Sequence, residues 1–305
     1  MKTAFLFTGQ GSQFAGMGRD LLGRFPVAQE TFQAADEALG EPLTRLCLEG
    51  PEEQLALTTN TQPATLTVSI AAYRAVGQTP DLAAGHSLGE YSALTAAGTF
   101  EFADVVQLVR KRAECMQEAV PVGTGGMVVL RKMTLAQVNE VVAEIDKGVC
   151  EIANFNAPGQ YVLSGEAAAM DQVCEVVGRR QAMRLAVSVP FHSSLLAEAA
   201  KDYASVLDDV PMQDPAFPIY CNVDAAHITT AEAARDALKR QFASSVLWQE
   251  SVEKMLRDEG VRRFVELGPK PVLVRMATQI AKEAGIEDVQ TAGATTAAEV
   301  ESLQG

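Results

Sequence analysis

The sequence predicts an α/β fold with a small βαββαβ unit inserted into a larger domain. Two of the observations behind it are strand–turn–helix successions. An apolar strand at 3–7 runs into the glycine-rich turn 9–13, and a strand at 82–84 runs into residues 85–89 and then a helix. This order is typical of an α/β layer. The third observation is a change of pattern over 125–188, where short strands alternate with two helices.

The larger domain is predicted to comprise residues 1–124 and 189–290. Pro63 is expected early in its helix, where the missing N–H does no harm. Residues 291–305 are weakly patterned and are expected to form a C-terminal tail. Helices are predicted near 24–39, 62–76, 88–97, 102–119, 193–208, 230–242, 248–258 and 271–284, and later strands near 217–222 and 261–267.

The inserted unit follows the linker 121–126 and is predicted to comprise residues 125–188. Its first helix, 134–146, begins with a capping-box pattern at Thr134 and Gln137. A turn signal at 156–159 joins two of its strands. Strands are predicted at 127–130, 149–155, 160–163 and 183–189, and the second helix at 167–179. The order βαββαβ is that of a ferredoxin-like unit.

Charge and hydropathy together argue against two classes of partner, nucleic acids and membranes. The chain has 25 Lys and Arg against 39 Asp and Glu, a net charge of −14, whereas nucleic acid requires a basic face. No apolar run approaches the roughly 18–20 residues that span a bilayer, and the first residues do not resemble a signal peptide. We therefore expect no nucleic-acid or membrane partner and a cytoplasmic location.

The five cysteines are widely spaced and form no C-x-x-C pair. They indicate neither a disulfide framework nor a zinc site. We expect each to be a small buried apolar residue.

The strongest local signal is the segment 85–89, which reads GHSLG. In a G-x-S-x-G elbow the serine lies at a sharp strand-to-helix turn, exposed at the helix N-terminus. Ser87 is thus the candidate nucleophile, and the backbone N–H of Leu88 the candidate oxyanion donor. The alternative is a glycine-rich turn that happens to hold a serine.

A serine nucleophile needs a base, and the chain has only three histidines. His86 adjoins the serine, but neighbouring residues at an elbow point apart, and His227 is expected in an exposed loop. His192 lies where the inserted unit returns to the larger domain, and a cleft between domains is a common site. No acidic residue stands out as a third member. A backbone carbonyl can also orient a histidine, so a dyad fits as well as a triad.

Two further elements stay open on the residues alone. Residues 9–13 lack the Lys-Ser/Thr of a phosphate-binding loop, so Gln10 is either a second oxyanion donor or part of a tight turn. Arg112 could bind a carboxylate through two parallel hydrogen bonds, but its basic neighbours equally fit a solvated helix face.

Seven segments, in order along nearly the whole chain, resemble the malonyl-CoA:acyl carrier protein transacylases of bacterial fatty acid synthesis. They are also similar to acyltransferase domains of polyketide synthases. The resemblance implies an α/β-hydrolase-like larger domain with a ferredoxin-like insert. The segments are 7–13, 61–64, 85–94, 116–121, 154–160, 187–192 and 266–269.

The resemblance also implies roles for the residues of the elbow and its surroundings. Ser87 corresponds to the serine that carries the malonyl ester, and His192 to its general base. Arg112 corresponds to the arginine that pairs with the free carboxylate of malonate. The backbone N–H groups of Gln10 and Leu88 correspond to the oxyanion hole.

Three further residues are implied with a less defined role. Gln62 corresponds to a residue that lines the same pocket. Phe191 corresponds to a phenylalanine that goes with malonyl rather than methylmalonyl selection, because its bulk occupies the place of the extra methyl. In known members a glutamine carbonyl in a Pro-Val-Gln-Trp stretch orients the histidine. Here that stretch reads SVLW, so the carbonyl of Leu247 is expected to do so.

The implied activity is a ping-pong transfer of malonyl from its coenzyme A thioester to acyl carrier protein, by a monomer without metal or cofactor. The pathway, fatty acid or polyketide, stays open. An acyl hydrolase on the same fold is one alternative, and a catalytically silent carrier-binding subunit is another. Docking of an acidic carrier would need basic residues around the cleft; candidates are Lys111, Arg131, Lys132, Arg179, Arg180, Lys270 and Arg275.

Overall fold

The computed structural model describes residues 1–187 and 189–305. Ser188, the last residue of the predicted insert and part of the segment 187–192, lies outside the described residues. The strands are β1 (Lys2–Phe7), β2 (Leu82–Gly85), β3 (Gly125–Arg131), β4 (Cys150–Ala157), β5 (Gln160–Glu166), β6 (Ala182–Arg184), β7 (Ile219–Tyr220), β8 (His227–Ile228), β9 (Val261–Leu267) and β10 (Gln290–Ala294).

The helices account for most of the remaining chain. They are α1 (Arg19–Arg24), α2 (Pro26–Leu39), α3 (Leu43–Glu49), α4 (Glu52–Leu55), α5 (Thr58–Val76), α6 (Leu88–Ala96), α7 (Phe102–Glu118), α8 (Leu135–Glu144), α9 (Ala167–Val177), α10 (Ala197–Asp208), α11 (Ala231–Gln241), α12 (Trp248–Arg257), α13 (Leu273–Glu283) and α14 (Ala297–Gln304). Within 1–187 and 189–305, no helix is long and apolar enough to cross a membrane.

The larger sheet has six strands in the order β10-β9-β1-β2-β7-β8, and only the edge strand β8 runs antiparallel to its neighbour. Side chains of β1 alternate between two cores: Phe5 and Phe7 pack on one face, and Ala4 and Leu6 on the other. Helices cover both faces, as a parallel sheet requires. The result is the mixed α/β fold that the sequence predicts.

The register of the central strands positions the site. Phe7 of β1 pairs with Gly85 of β2, so both strands end at the same edge of the sheet. The turn 9–13 and the elbow that holds Ser87 therefore emerge side by side.

The smaller sheet has four antiparallel strands in the order β4-β5-β3-β6. Helices α8 and α9 pack on one face through an apolar cluster that includes Val138 and Met170. The predicted capping box of Thr134 and Gln137 is confirmed at the start of α8. The edge strand β4 is joined to the rest of the chain by backbone hydrogen bonds, among them Phe155 N–H to the Val246 carbonyl at 3.0 Å.

Several predicted boundaries are wrong. Helix α5 begins at Thr58, so Pro63 lies inside it; its first turn is rich in threonine, a weak helix former, but Thr58 and Thr61 are buried and packing overrides propensity. The helix expected near 24–39 is confirmed as α2, which begins at Pro26 after Phe25 separates it from α1. The strand expected at 183–189 ends at Arg184. His227, expected in a loop, lies exposed on β8.

The C-terminal residues do not form a tail. Strand β10 pairs in parallel with β9, and α14 follows it. The weak pattern has a physical reason, because β10 is an edge strand of small residues with only Ala294 buried. A capping box at Thr296 and Glu299 starts α14 and is the signal that could have revealed it.

Candidate active site

Ser87 occupies a strained turn between β2 and α6. Its backbone has φ 53° and ψ −105°, which lies outside the φ/ψ regions that are allowed for non-glycine residues. Gly85 and Gly89 make the turn possible by close approach rather than by positive φ. A Cβ on Gly85 would lie 1.9 Å from the Gly89 carbonyl carbon, and one on Gly89 would lie 2.0 Å from the Phe7 carbonyl oxygen.

His192 lies within hydrogen-bond distance of the serine, with Ser87 Oγ and His192 Nε2 2.7 Å apart. Its Nδ1 is 3.1 Å from the carbonyl oxygens of both Gln241 and Ser244. A carbonyl only accepts, so Nδ1 carries the proton and Nε2 is left to accept from the serine hydroxyl. Burial, together with the nearby Arg112 charge, lowers the pKa of His192 to about 3. The imidazole is therefore neutral at pH 7.

The carbonyl that orients the histidine is not that of Leu247, and that prediction is wrong. The Leu247 carbonyl accepts from the Ser251 N–H at 3.0 Å and from Ser251 Oγ at 2.9 Å. Leu247 precedes α12, so its oxygen takes part in the first turn of that helix. The backbone carbonyls of Gln241 and Ser244 orient the histidine instead.

Arg112 is buried, with 1% of its surface exposed, and is not on a solvated helix face. Its Nη1 donates to Gln62 Oε1 at 2.9 Å, and its Nη2 to Gln241 Oε1 at 2.9 Å. Nη2 also donates to Ser87 Oγ at 3.2 Å, and the guanidinium carbon lies 5.1 Å from the ring centroid of Tyr91. A guanidinium group thus lies beside the serine oxygen.

The two candidate oxyanion donors lie on the two loops that the sheet register brings together. Leu88 is the first residue of α6, so its N–H has no acceptor inside that helix. Gln10 follows β1, and its side chain donates to Thr58 Oγ1 at 3.3 Å. Both residues line the cavity in front of Ser87.

That cavity has a volume of about 360 Å³ and lies between the two sheets. Its wall includes all the predicted site residues apart from Leu247. The smaller sheet and the segment after it also contribute. The lining residues are Gln10, Gly11, Gln13, Ala56, Gln62, His86, Ser87, Leu88, Arg112, Met116, Met127, Asn154, Leu185, Ala186, Val187, Phe191 and His192.

His86 and His227 make their hydrogen bonds and ion pairs with residues other than Ser87. His86 Nε2 lies 2.8 Å from Asn156 Oδ1 on the smaller sheet, and its ring is 5.6 Å from that of Trp248. Exposed His227 lies 3.3 Å from Glu259. Neither histidine is hydrogen-bonded to the Ser87 hydroxyl, so His192 is the candidate base.

Three residues behind the elbow were not predicted from the sequence. Asn222 accepts the Ser87 N–H at 2.7 Å and donates to the Gly85 carbonyl at 2.7 Å. Gln241 donates to the Ser87 carbonyl at 3.0 Å. Glu90, in the first turn of α6, accepts from both of them. The one sequence signal was an acidic residue, Glu90, in an otherwise uncharged helix.

Comparison with known proteins agrees with this geometry. The Acyl transferase domain family profile matches residues 4–301. The malonyl CoA-acyl carrier protein transacylase of Bacillus subtilis is 43% identical over 302 residues, 95% of each chain. An acyl-carrier-protein S-malonyltransferase structure from Burkholderia pseudomallei superposes with a TM-score of 0.94 at 41% identity, covering 100% of both chains.

A third similar protein was solved as a complex. It is a malonyl-transacylase bound to its type II PKS acyl-carrier protein, with a TM-score of 0.94 and 39% identity, covering 100% of this chain and 99% of that one. Matches of this length and identity concern the whole chain and not the elbow alone. The chain belongs to the acyl transferase domain family.

Proposed function

We propose that this protein transfers a malonyl group from malonyl-CoA to the phosphopantetheine thiol of acyl carrier protein. The observation that carries the proposal is a pair of contacts made by the hydroxyl oxygen of Ser87. Ser87 Oγ has His192 Nε2 at 2.7 Å and Arg112 Nη2 at 3.2 Å. A nucleophile, a neutral base and a carboxylate-binding cation thus surround one cavity. The names of the relatives describe the same activity.

In the loading step, His192 Nε2 takes the proton of Ser87 as Oγ attacks the thioester carbonyl carbon. The backbone N–H groups of Gln10 and Leu88 stabilise the oxyanion of the tetrahedral intermediate. The intermediate collapses, the C–S bond breaks, and the imidazolium returns the proton to the coenzyme A thiolate. The product is a malonyl ester on Ser87.

The second step reverses the first with a different thiol. His192 removes the proton of the phosphopantetheine thiol, which attacks the ester carbonyl. Ser87 leaves with the proton, and malonyl acyl carrier protein is released. The dyad needs no carboxylate, because two backbone carbonyls fix the histidine tautomer.

Arg112 accounts for the choice of malonyl. The free carboxylate of malonate can pair with its guanidinium, which Gln62 and Gln241 hold in place. A hydrolase that clears simple acyl chains has no use for a buried cation beside its nucleophile. The transferase is therefore favoured over the acyl hydrolase.

The finer architecture is also a proposal. We assign residues 1–124 and 189–290 to an α/β-hydrolase-like domain, to which β10 and α14 add the last residues. We assign residues 125–188 to the ferredoxin-like insert, of which the structure describes 125–187. The strand order β4-β5-β3-β6 and the succession βαββαβ support it.

We infer that the enzyme works without metal or cofactor, because serine, histidine and arginine together supply the chemistry. Its partners would be malonyl-CoA and an acyl carrier protein of fatty acid or polyketide synthesis. Lys270 is one candidate docking residue, because its Nζ lies 4.5 Å from the ring centroid of Phe14, next to the cavity residue Gln13. The monomeric state and the cytoplasmic location remain predictions.

Intact-protein mass spectrometry after brief incubation with malonyl-CoA tests the proposal. We expect a malonyl adduct on the wild type and on the control Ser92→Ala, a buried serine of the same helix, but not on Ser87→Ala. Added holo carrier protein should discharge the adduct onto its thiol. Discharge to water alone would support the hydrolase. Labelling by acetyl-CoA without malonyl labelling would refute the substrate assignment.

A further inference from the structure

A buried carboxylate lies behind the elbow and takes no part in the mechanism above. Glu90 is in the first turn of α6 and is fully buried. Its Oε2 accepts from the Asn222 N–H at 2.9 Å and from Gln241 Nε2 at 2.8 Å. Its Oε1 has no hydrogen-bond partner among residues 1–187 and 189–305.

Asn222 and Gln241, which donate to Glu90, also bind the backbone of Ser87 on both sides of its Cα. Asn222 Oδ1 accepts the Ser87 N–H, and Gln241 Nε2 donates to the Ser87 carbonyl. Backbone strain such as that of Ser87 persists only where the surroundings fix it. The conformation that exposes the serine hydroxyl thus depends on both side chains.

Glu90 also fixes which way the Gln241 amide faces. With Nε2 directed at Glu90 and at the Ser87 carbonyl, Oε1 is left to accept from Arg112 Nη2. A half-turn of the amide would bring its NH₂ group against the guanidinium, donor against donor. An acceptor at Glu90 excludes that half-turn.

We propose that Glu90 is a positioning residue that holds Asn222 and Gln241, and through them keeps Ser87 reactive and Arg112 aimed at the malonyl carboxylate. The malonyl part of this inference rests on the proposed function. Glu90 itself touches no substrate.

The energetics favour a role beyond stability. Burial raises the pKa of Glu90 to about 7, so this environment disfavours the carboxylate. Burying a charged group with one oxygen unpaired is unfavourable compared with an apolar side chain. A residue selected only for packing would not be a glutamate here.

Three variants separate hydrogen bonding, reach and packing. Glu90→Gln can present its amide oxygen to both donors, Glu90→Asp shortens the side chain, and Glu90→Met removes the acceptor. Glu266→Met is the matched control, because Glu266 is a buried glutamate whose carboxylate accepts from backbone N–H groups at the start of α13. Each protein is loaded from malonyl-CoA and from acetyl-CoA and followed by mass spectrometry, with thermal unfolding in parallel.

For Glu90→Met and Glu90→Asp we expect malonyl loading to slow about 10- to 100-fold and the malonyl-to-acetyl ratio of loading rates to fall. Glu90→Gln should retain most of both. Glu266→Met should unfold at a lower temperature with its ratio unchanged. If Glu90→Met does not fold, Glu90→Asp decides.

An unchanged malonyl-to-acetyl ratio in a folded Glu90→Asp or Glu90→Met protein would overturn the positioning role, whatever the unfolding temperature. A wild-type protein that forms no malonyl ester would instead refute the proposed function. The two failures are therefore distinguishable.

Discussion

Replacing Arg112 with methionine tests the origin of malonyl selection most directly. Methionine keeps an unbranched apolar side chain beside Tyr91 and removes every N–H donor. The substituted protein still has Ser87 and His192, the residues to which we assign the acyl chemistry. Loss of the cation should therefore affect the substrate that carries a carboxylate and largely spare the one that does not.

The structure gives the expected size of the effect. Arg112 is 1% exposed, so the malonyl carboxylate gives up hydration to reach it. Removing one partner of a buried ion pair costs about 3–5 kcal/mol. At about 1.36 kcal/mol per factor of ten, malonyl loading should fall by roughly 10²- to 10⁴-fold. Acetyl loading should change by less than about tenfold, because acetyl forms no such pair.

The assay is the rate of acyl-enzyme formation from malonyl-CoA and acetyl-CoA, measured by rapid quench and mass spectrometry. Arg110→Met is the matched control, because Arg110 lies on the same helix and pairs with Glu41 at its surface. Thermal unfolding accompanies each variant. Arg112→Met leaves Gln62 Oε1 and Gln241 Oε1 unpaired, at about 1–3 kcal/mol each, so its unfolding temperature should fall.

Equal losses on the two substrates would refute the reasoning, since they would show that Arg112 supports the fold or the nucleophile and not the carboxylate. A malonyl rate equal to that of wild type would refute it too. A selective loss in Arg110→Met would move the recognition site to the helix surface.

Two further predictions concern Phe191 and His192, which are neighbours in the chain and both line the cavity. Phe191→Ala should raise methylmalonyl loading relative to malonyl by about 10- to 100-fold, because one methyl is worth about 1–3 kcal/mol; an unchanged ratio in competition loading would exclude Phe191 as the selector. The pKa of His192 is about 3 in the fold, against an ordinary value of 6.5, so the unfolded chain binds the extra proton first and stability is lost as the pH falls from about 6.5 towards 3. In His192→Gln the unfolding free energy should fall less between pH 6.5 and pH 3, by about 5 kcal/mol. An equally large fall in this variant would show that other groups cause the loss of stability.

Local signals in the sequence were enough to predict the candidate nucleophile and the mixed α/β fold. The elbow of Ser87 is defined by its own five residues and the helix after them. The strands and helices of the smaller sheet follow one another in a short βαββαβ stretch. These features depend on neighbours in sequence. The capping box at Thr134 is another such case.

Features that depend on distant parts of the chain were harder to predict. Arg112 looks like one of three surface cations, and it is buried by residues far away in the sequence, among them Gln62, Tyr91 and Gln241. Strand β10 shows little alternation, because its place is set by the β9 edge. No local pattern carries that information.

The histidine-orienting carbonyl shows the same limit most sharply. Every residue has a backbone carbonyl, so residue type cannot identify the carbonyl that faces His192 Nδ1. The prediction of Leu247 rested on the family resemblance alone. The carbonyls of Gln241 and Ser244 are available because α11 ends at Gln241 and the chain then turns away, leaving both oxygens free to meet the ring. The Leu247 oxygen is already engaged by Ser251 at the start of α12. Helix ends therefore decide which backbone groups can serve the site.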